Sequence, residues 1–249
     1  MATTDSAICV RSIDYSETSQ VLVLLARDNG LVRLLAKGSK RAKSKSGGAV
    51  DYFAEGRCVF TGTHKQGLGT LMEFVETVTH TPLRDDLERL NVGLYMLELC
   101  LNLLGEGDPH PEVFDLLHNA LARLEQSDAL PSAVLAYFQW RLARRVGLLG
   151  DMDRCVSCGQ RAEEGVYFSS SAGGLLCRNC QGAAKEKRAV SPAALLGLAA
   201  LAAAEAGQRP KLPAPAAQAV NALLAYHIQY QLAKPLKMVE FALTGGRKS

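Results

Sequence analysis

Residues 21–37, VLVLLARDNGLVRLLAK, decide how the amino-terminal part of the chain is read. Two runs of Val and Leu flank Asp28-Asn29-Gly30, and that trio is the turn chemistry of a tight β-hairpin, since Asn and Gly accept the positive φ a short reversal demands. Runs of the same kind lie on either side: AICVRSI (7–13), GRCVFTG (56–62) and TLMEFVETV (70–78). Five short strands within about eighty residues suit a small closed barrel. An OB barrel is one such solution and an SH3-like barrel is another, and strand counting does not separate them.

The second hairpin strand runs straight into positive charge. From Lys37 to Lys45 there are five Lys or Arg and no acid, and Ser44, Ser46, Gly47 and Gly48 make the stretch a supple loop. Alternation along a strand places Arg33, Leu35 and Lys37 on one face. Arg33, Lys37, Lys40, Arg41, Lys43 and Lys45 therefore form one cationic stretch, the kind of surface with which barrels track a phosphate backbone. Tyr52 and Phe53 follow the loop and offer a stacking surface. The competing reading is a solvated loop followed by two core aromatics.

The net charge of the 249-residue chain is only +3, but the charge is unevenly spread. Residues 1–80 carry 10 basic and 8 acidic groups, whereas residues 81–130 carry 3 and 10. Grouped charges of one sign add their fields, which matters for steering a polyanion. The first twenty residues include Asp5, Arg11, Asp14 and Glu17, unlike a secretory leader. No apolar run is long enough for a membrane span; the longest, around 193–204, is too short. The expectation is a cytoplasmic protein with no membrane partner.

After Pro82 the apolar period changes from two to between three and four. Leu83, Leu87, Leu90, Leu94, Leu97, Leu101 and Leu104 predict one apolar stripe on a helix ended by Gly105 and Gly107. A second helix begins at Pro111 with Phe114, Leu117, Leu121 and Leu124 inward. A third begins near Pro131 and uses Leu135, Phe138, Leu142, Val146 and Leu149. Ser191-Pro192 reads as an N-cap and first turn, and a last helix covers roughly 215–233.

Cys155-Val-Ser-Cys158 and Cys177-Arg-Asn-Cys180 are two C-x-x-C pairs at structural-zinc spacing. Each pair turns two thiolates towards one point, and the GVYFSSSAGGLLC between them reads as a hairpin that brings the second pair back to the first. Cys155, Cys158, Cys177 and Cys180 are thus the candidate ligands of one Zn²⁺. A full set of four sulfurs leaves no open position for metal-based catalysis. A redox dithiol is the rival reading. Cys9, Cys58 and Cys100 stand alone in apolar strings and read as small buried hydrophobes.

Taken in order, AICVRSIDYSETS, DNGLVRLLAKGSKRAKSKSGG, the Cys155–Cys158 pair, GVYFSSSAGGLLCRNC and KPLKMVEFAL resemble the RecO family of bacterial recombination mediators, from residue 7 to 243. The resemblance implies an α+β chain: an OB barrel over residues 1–80, then a helical domain over 81–249 that contains a four-cysteine zinc insert at 151–188. It implies binding and annealing of single- and double-stranded DNA and partnership with RecR. It further implies action on strands coated by single-strand-binding protein (SSB), helping RecA to load, and a nucleoid-associated location. No enzymatic role is implied.

The back of the third helix adds one more candidate. Tyr137, Trp140, Arg141 and Arg144 lie roughly opposite its leucines. Aromatics among arginines suit an acidic peptide with an aromatic end, a description that fits the SSB tail. A helix buried on both faces is the competing reading. Two other functions remain open: a zinc-stabilised scaffold that contacts protein or RNA, and a nuclease using Asp85, Asp86 and Glu88. Those acids also read as the exposed start of a helix, where they favour the positive dipole end. The five histidines show no ligand spacing and read as surface or capping residues.

Overall fold

The first strand holds the barrel together because it is long and bent. In the computed structural model, which describes residues 2–41, 44, 48–62, 67–150, 152–162, 165–204, 208 and 210–244, β1 spans Thr3–Asp14. Its first half pairs with β4 (Glu55–Thr61), and its second half pairs with β2 (Gln20–Ala26). A bulge between Cys9 and Arg11 gives the bend. β2 continues through residues 27–29 into β3 (Gly30–Ala36), and β5 (Gly69–Val78) pairs with β4. A short parallel pairing of Leu34 and Leu35 with Gly69 and Thr70 closes the barrel in the order β1-β2-β3-β5-β4. This is the five-stranded OB barrel. Alternate residues fill it: Leu22, Leu24, Ala26, Val32, Leu34 and Ala36, together with Phe60 and Phe74.

The chain divides into two compact units, residues 1–126 and 127–249. The strand pattern gives way to helix at residue 80, yet the first two helices group with the barrel. One 3₁₀ turn (Thr81–Asp85) leads to α1 (Leu87–Leu103) and then α2 (Pro111–Leu124). Their side chains explain the grouping. Arg27 reaches Asp115 through Nε and Nη2 at 3.1 and 2.9 Å. Phe53, at φ 70° and 1% exposed, lays its ring on Gly93, where an added Cβ would sit 3.0 Å from Cε1. A left-handed φ is unusual for phenylalanine, and core packing holds it there. Asp86 caps α1, its side chain accepting from Arg89 N at 3.1 Å, so Asp85, Asp86 and Glu88 stand at a helix start.

The leucine stripe expected for α1 is buried only in part: Leu83, Leu97 and Leu104 lie inside, but the others do not. Leu87 is 61% exposed and Leu90, Leu94 and Leu101 are half-buried, whereas Val92, Tyr95, Met96, Leu99 and Cys100 are fully buried. Tyr95, Met96 and Gly93 supply the inward contacts that a count of leucines overlooks. On α2 the predicted residues, Phe114, Leu117, Leu121 and Leu124, are all buried.

His80 departs from its expected surface role. It is 2% exposed, with Nδ1 2.8 Å from Glu125 Oε1 and Nε2 3.6 Å from Glu55 Oε2. His118 Nδ1 approaches Glu55 Oε1 at 2.8 Å. Burial works against a charge on His80, but hydrogen bonds and charges from Glu55 and Glu125 outweigh it and raise its pKa. Burial likewise disfavours the Glu55 anion, but the two histidines outweigh it and lower its pKa. The signs follow. The His80 contribution is complete below the ordinary histidine pKa and is lost as pH rises through the raised value; that of Glu55 is complete above the ordinary carboxylate pKa and is lost as pH falls through the lowered value. The first unit is therefore expected to be most stable in mildly acidic solution. Its urea midpoint should fall from pH 6 to pH 9, and His80→Gln should flatten that fall; an unchanged slope in the variant would contradict the assignment.

The second unit is built on α3 (Pro131–Arg145). A small antiparallel sheet follows, with β6 (Tyr167–Ser169) between β7 (Gly174–Leu176) and β8 (Arg188–Ala189). Three helices complete it: α4 (Pro192–Ala203), α5 (Ala214–Leu232) and α6 (Val239–Thr244). Ser191 caps α4 as predicted, its Oγ accepting from Ala194 N at 3.2 Å. Inside, Gln139 donates to Asn221 Oδ1 at 2.9 Å, and Asn221 donates to Ser132 O at 2.8 Å. His227 is fully buried, against Leu148 O at 2.8 Å and edge-on to Phe168. Glu186 accepts from Ser171 N and from Tyr226 Oη at 3.1 and 2.6 Å, which ties the β6–β7 turn to α5. Among the described residues, no helix is long and apolar enough to cross a membrane.

Candidate nucleic-acid interface and metal centre

The basic loop leaves the barrel through a buried amide. Gln20, 5% exposed at the start of β2, accepts through Oε1 from Ser39 Oγ at 3.0 Å and from Val50 N at 3.1 Å. Its Nε2 donates to Ser12 Oγ at 2.9 Å and to Val50 O at 3.3 Å. One side chain thus fastens both ends of the loop, and a glutamine suits this because it offers an acceptor and two donors in one plane. Gly38, at φ 66°, makes the turn into the loop, and its N donates to Ser19 Oγ at 3.2 Å. Lys40 N donates to Thr18 O at 3.1 Å, so the β1–β2 turn and the loop base are joined.

The predicted cations divide into three groups. Lys37 and Arg41 are exposed on this base. Lys40 is exposed as a residue but holds Asp14, Nζ to Oδ1, at 2.5 Å, and Arg33 Nε lies 3.4 Å from Glu106 Oε1. Lys43 and Lys45 lie outside the described residues. The Arg33–Glu106 pair is about half solvated, and the Lys40 side chain is mostly covered beside a solvated Asp14, which a phosphate can replace. The two aromatics after the loop do not form a stacking surface: Phe53 is core, and Tyr52 is half-buried with its hydroxyl 3.4 Å from Ser12 O. The exposed aromatic here is Tyr15, 67% accessible in the β1–β2 turn. Sequence reading passed over it, and the only signal was its place between strands, in AICVRSIDYSETS.

The four predicted cysteines converge. The thiol sulfurs of Cys155, Cys158, Cys177 and Cys180 all lie within 4.8 Å of one another. Two knuckles bring this about. Gly159 N donates to Cys155 O at 2.9 Å, with Gly159 itself at φ 73°, and Cys180 N donates to Cys177 O at 3.1 Å. The β6–β7 hairpin returns the chain, pairing Tyr167 with Leu176 and Ser169 with Gly174, and Val156 N donates to Leu175 O at 2.9 Å. Cys155 is buried and the other three reach the surface. Burial would push its thiol up, but backbone N–H groups of the knuckles hold it down to about 6. The Ser157 hydroxyl would lower the Cys180 thiol, but the thiols of Cys177, Cys158 and Cys155 together outweigh it and push it up to about 12. Four thiolates this close repel one another unless a cation neutralises them, so the cluster is fit to hold a metal ion. By contrast, Cys9, Cys58 and Cys100 are fully buried, and burial pushes each thiol up to about 12.

On α3, Trp140 is 2% exposed and belongs to the core of the second unit, with Tyr137 packed partly buried against that core. Arg144 lies 5.5 Å from the Trp140 ring centroid, and Arg141 donates to Tyr137 Oη at 3.1 Å. The helix is buried on both sides, so the tryptophan expected as a peptide seat is an interior residue.

The family model for the Recombination protein O N terminal matches residues 1–79, and that for the Recombination protein O C terminal matches residues 84–240. A DNA repair protein RecO from Myxococcus xanthus (strain DK1622) is 33% identical over 238 residues, covering 95% of each chain. One from Anaeromyxobacter sp. (strain Fw109-5) is 30% identical over 240 residues, covering 92% of each. One from Rubrobacter xylanophilus is 34% identical over 205 residues, 80% of this chain and 81% of the relative.

Proposed function

The chain belongs to the RecO family, and from that premise we propose that it is a DNA repair mediator that binds single- and double-stranded DNA through its barrel and anneals complementary strands. The observation that carries this reading is the loop base: Lys37, Lys40 and Arg41 are exposed beside Ser39, which Gln20 ties to Val50, with Arg33 on the strand leading into it. Such cations meet phosphates without reading sequence, and the counterions they displace drive binding. Charge neutralisation is also what annealing requires, since two strands repel until their phosphates are screened. No bond is broken in this mechanism, and the protein works without catalytic groups.

The four-cysteine centre is proposed to hold one structural Zn²⁺. In a tetrahedron, metal–sulfur bonds of about 2.3 Å place sulfurs about 3.8 Å apart. The Sγ atoms of Cys158 and Cys177 are 3.8 Å apart. When bound, the ion neutralises the thiolates and fastens the hairpin; the cysteines contribute position and charge alone. In the cell the protein is proposed to work at the nucleoid, with RecR, on strands covered by SSB, so that RecA can load.

The test is annealing of complementary oligonucleotides coated with SSB, with and without RecR. The protein should speed annealing, RecR should change the rate, and both strands should stay intact. Strand cleavage, or no acceleration in either condition, would overturn the reading. A preference for structured RNA over single-stranded DNA would point instead to an RNA scaffold.

A further inference from the structure

The outer surface of the barrel carries a pattern that the loop leaves unexplained. Cross-strand register aligns Ile13 with Val21 and Val21 with Leu35 across β1, β2 and β3. One rung away, Arg11 aligns with Val23 and Val23 with Arg33. Side chains two residues apart share a face, so an apolar rung lies beside a cationic one on the outside, while Leu22 and Leu34 fill the core. Ile13 is 42% exposed there. The face ends in a cleft of about 530 Å³ lined by Val21, Arg33, Gly67, Leu68 and Glu106. That volume lies within the range of roughly 300–1,000 Å³ common to small-molecule sites. Leu68 is half exposed on its edge.

The lining decides what fits. Val21 and Leu68 are apolar, and the polar part of the lining is the Arg33–Glu106 ion pair. A phosphate suits this place poorly, because the Glu106 carboxylate repels it and the apolar residues donate nothing. A nucleobase suits both parts of this lining. Its faces cover apolar side chains and stack on a guanidinium plane, and an exocyclic amino group donates to a carboxylate. The phosphates of the same strand would meet Arg11 and Lys37, both exposed.

We propose that this cleft seats one unpaired nucleobase, with Glu106 accepting a hydrogen bond from its exocyclic amine. The inference rests on the DNA-binding reading above and adds a preference that the loop cannot supply. A base in a duplex is stacked and paired and cannot enter, so the seat favours single strands. Cytosine offers the amino donor that thymine lacks.

Anisotropy titrations with oligo(dC), oligo(dT), an abasic strand of the same length (about 16 nucleotides) and a duplex test it. The wild-type protein should bind oligo(dC) about three- to tenfold tighter than oligo(dT), and both tighter than the abasic strand. Glu106→Leu should bind oligo(dT), the abasic strand and the duplex more tightly, having lost an acid, yet lose the cytosine preference. Leu68→Ser should bring both base-bearing strands towards the abasic value and leave the duplex unchanged. Both residues are at the surface, so the variants should fold. Equal binding of all three single strands by the wild-type protein, or a cytosine preference that survives Glu106→Leu, would overturn the seat while leaving phosphate binding intact. Failure to bind any strand would overturn the DNA reading itself.

Discussion

Cys177→Ser should be purified with little bound metal, and its 151–188 segment should become a substrate for proteases that leave the wild-type protein whole. The two cysteine knuckles have little else to hold them, although the hairpin between them is fastened to α5 through Glu186 and Tyr226. The sheet strands of the segment are three, three and two residues long. Buried Met152, Val166, Phe168 and Leu175 join the core of the second unit, so the loss should concentrate at the knuckles. Metal binding in small cysteine modules contributes on the order of 10 kcal/mol of folding free energy, far more than this sheet supplies. Replacing one sulfur leaves three close thiols without a full coordination shell. Elemental analysis with limited proteolysis reads both effects, and full metal content with wild-type resistance would contradict the structural role.

Lys37→Ala/Lys40→Ala/Arg41→Ala should lower affinity for a single-stranded oligonucleotide by about one to two orders of magnitude at low salt. The three residues need not contribute equally. Lys40 already pairs with Asp14, so a phosphate replaces one anion by another there, whereas Lys37 and Arg41 gain a partner outright. Each lost phosphate contact takes about 0.7 from the slope of log K against log salt for single strands. The triple variant should therefore flatten that slope by up to about 2. Lys37 and Arg41 are exposed, the partner of Lys40 is a solvated acid, and Gln20 ties Ser39 to Val50, so the thermal midpoint should stay close to that of the wild-type protein. An unchanged slope would remove the loop base from the interface.

Much of this was legible in the sequence because the signals were local. The Asn29-Gly30 turn, the alternation in β2 and β3, the Ser191 cap and the C-x-x-C spacing are each decided within a few residues, and each is found as read. What escaped depends on partners far along the chain. The buried face of α1 is set by Phe53 lying on Gly93, so its leucines face partly outward. His80 is interior because Glu55 and Glu125 meet it from two other elements. Gln20 looks like any polar residue opening a strand until Ser39 and Val50 close on it. Trp140 carried arginines beside it in the sequence, but the core of the second unit claims its ring. The short α6 is a single stretch of six residues whose period is too brief to read.

The central claim is that the barrel rim holds DNA by neutralising phosphates. It is tested most directly by titrating the unmodified protein against a fluorescent single-stranded oligonucleotide over a series of salt concentrations. The expected result is tight binding in dilute buffer that weakens linearly on a log–log plot, with a slope of about −2 to −4 for three to five phosphate contacts. Binding that ignores salt, or none in dilute buffer, would contradict it.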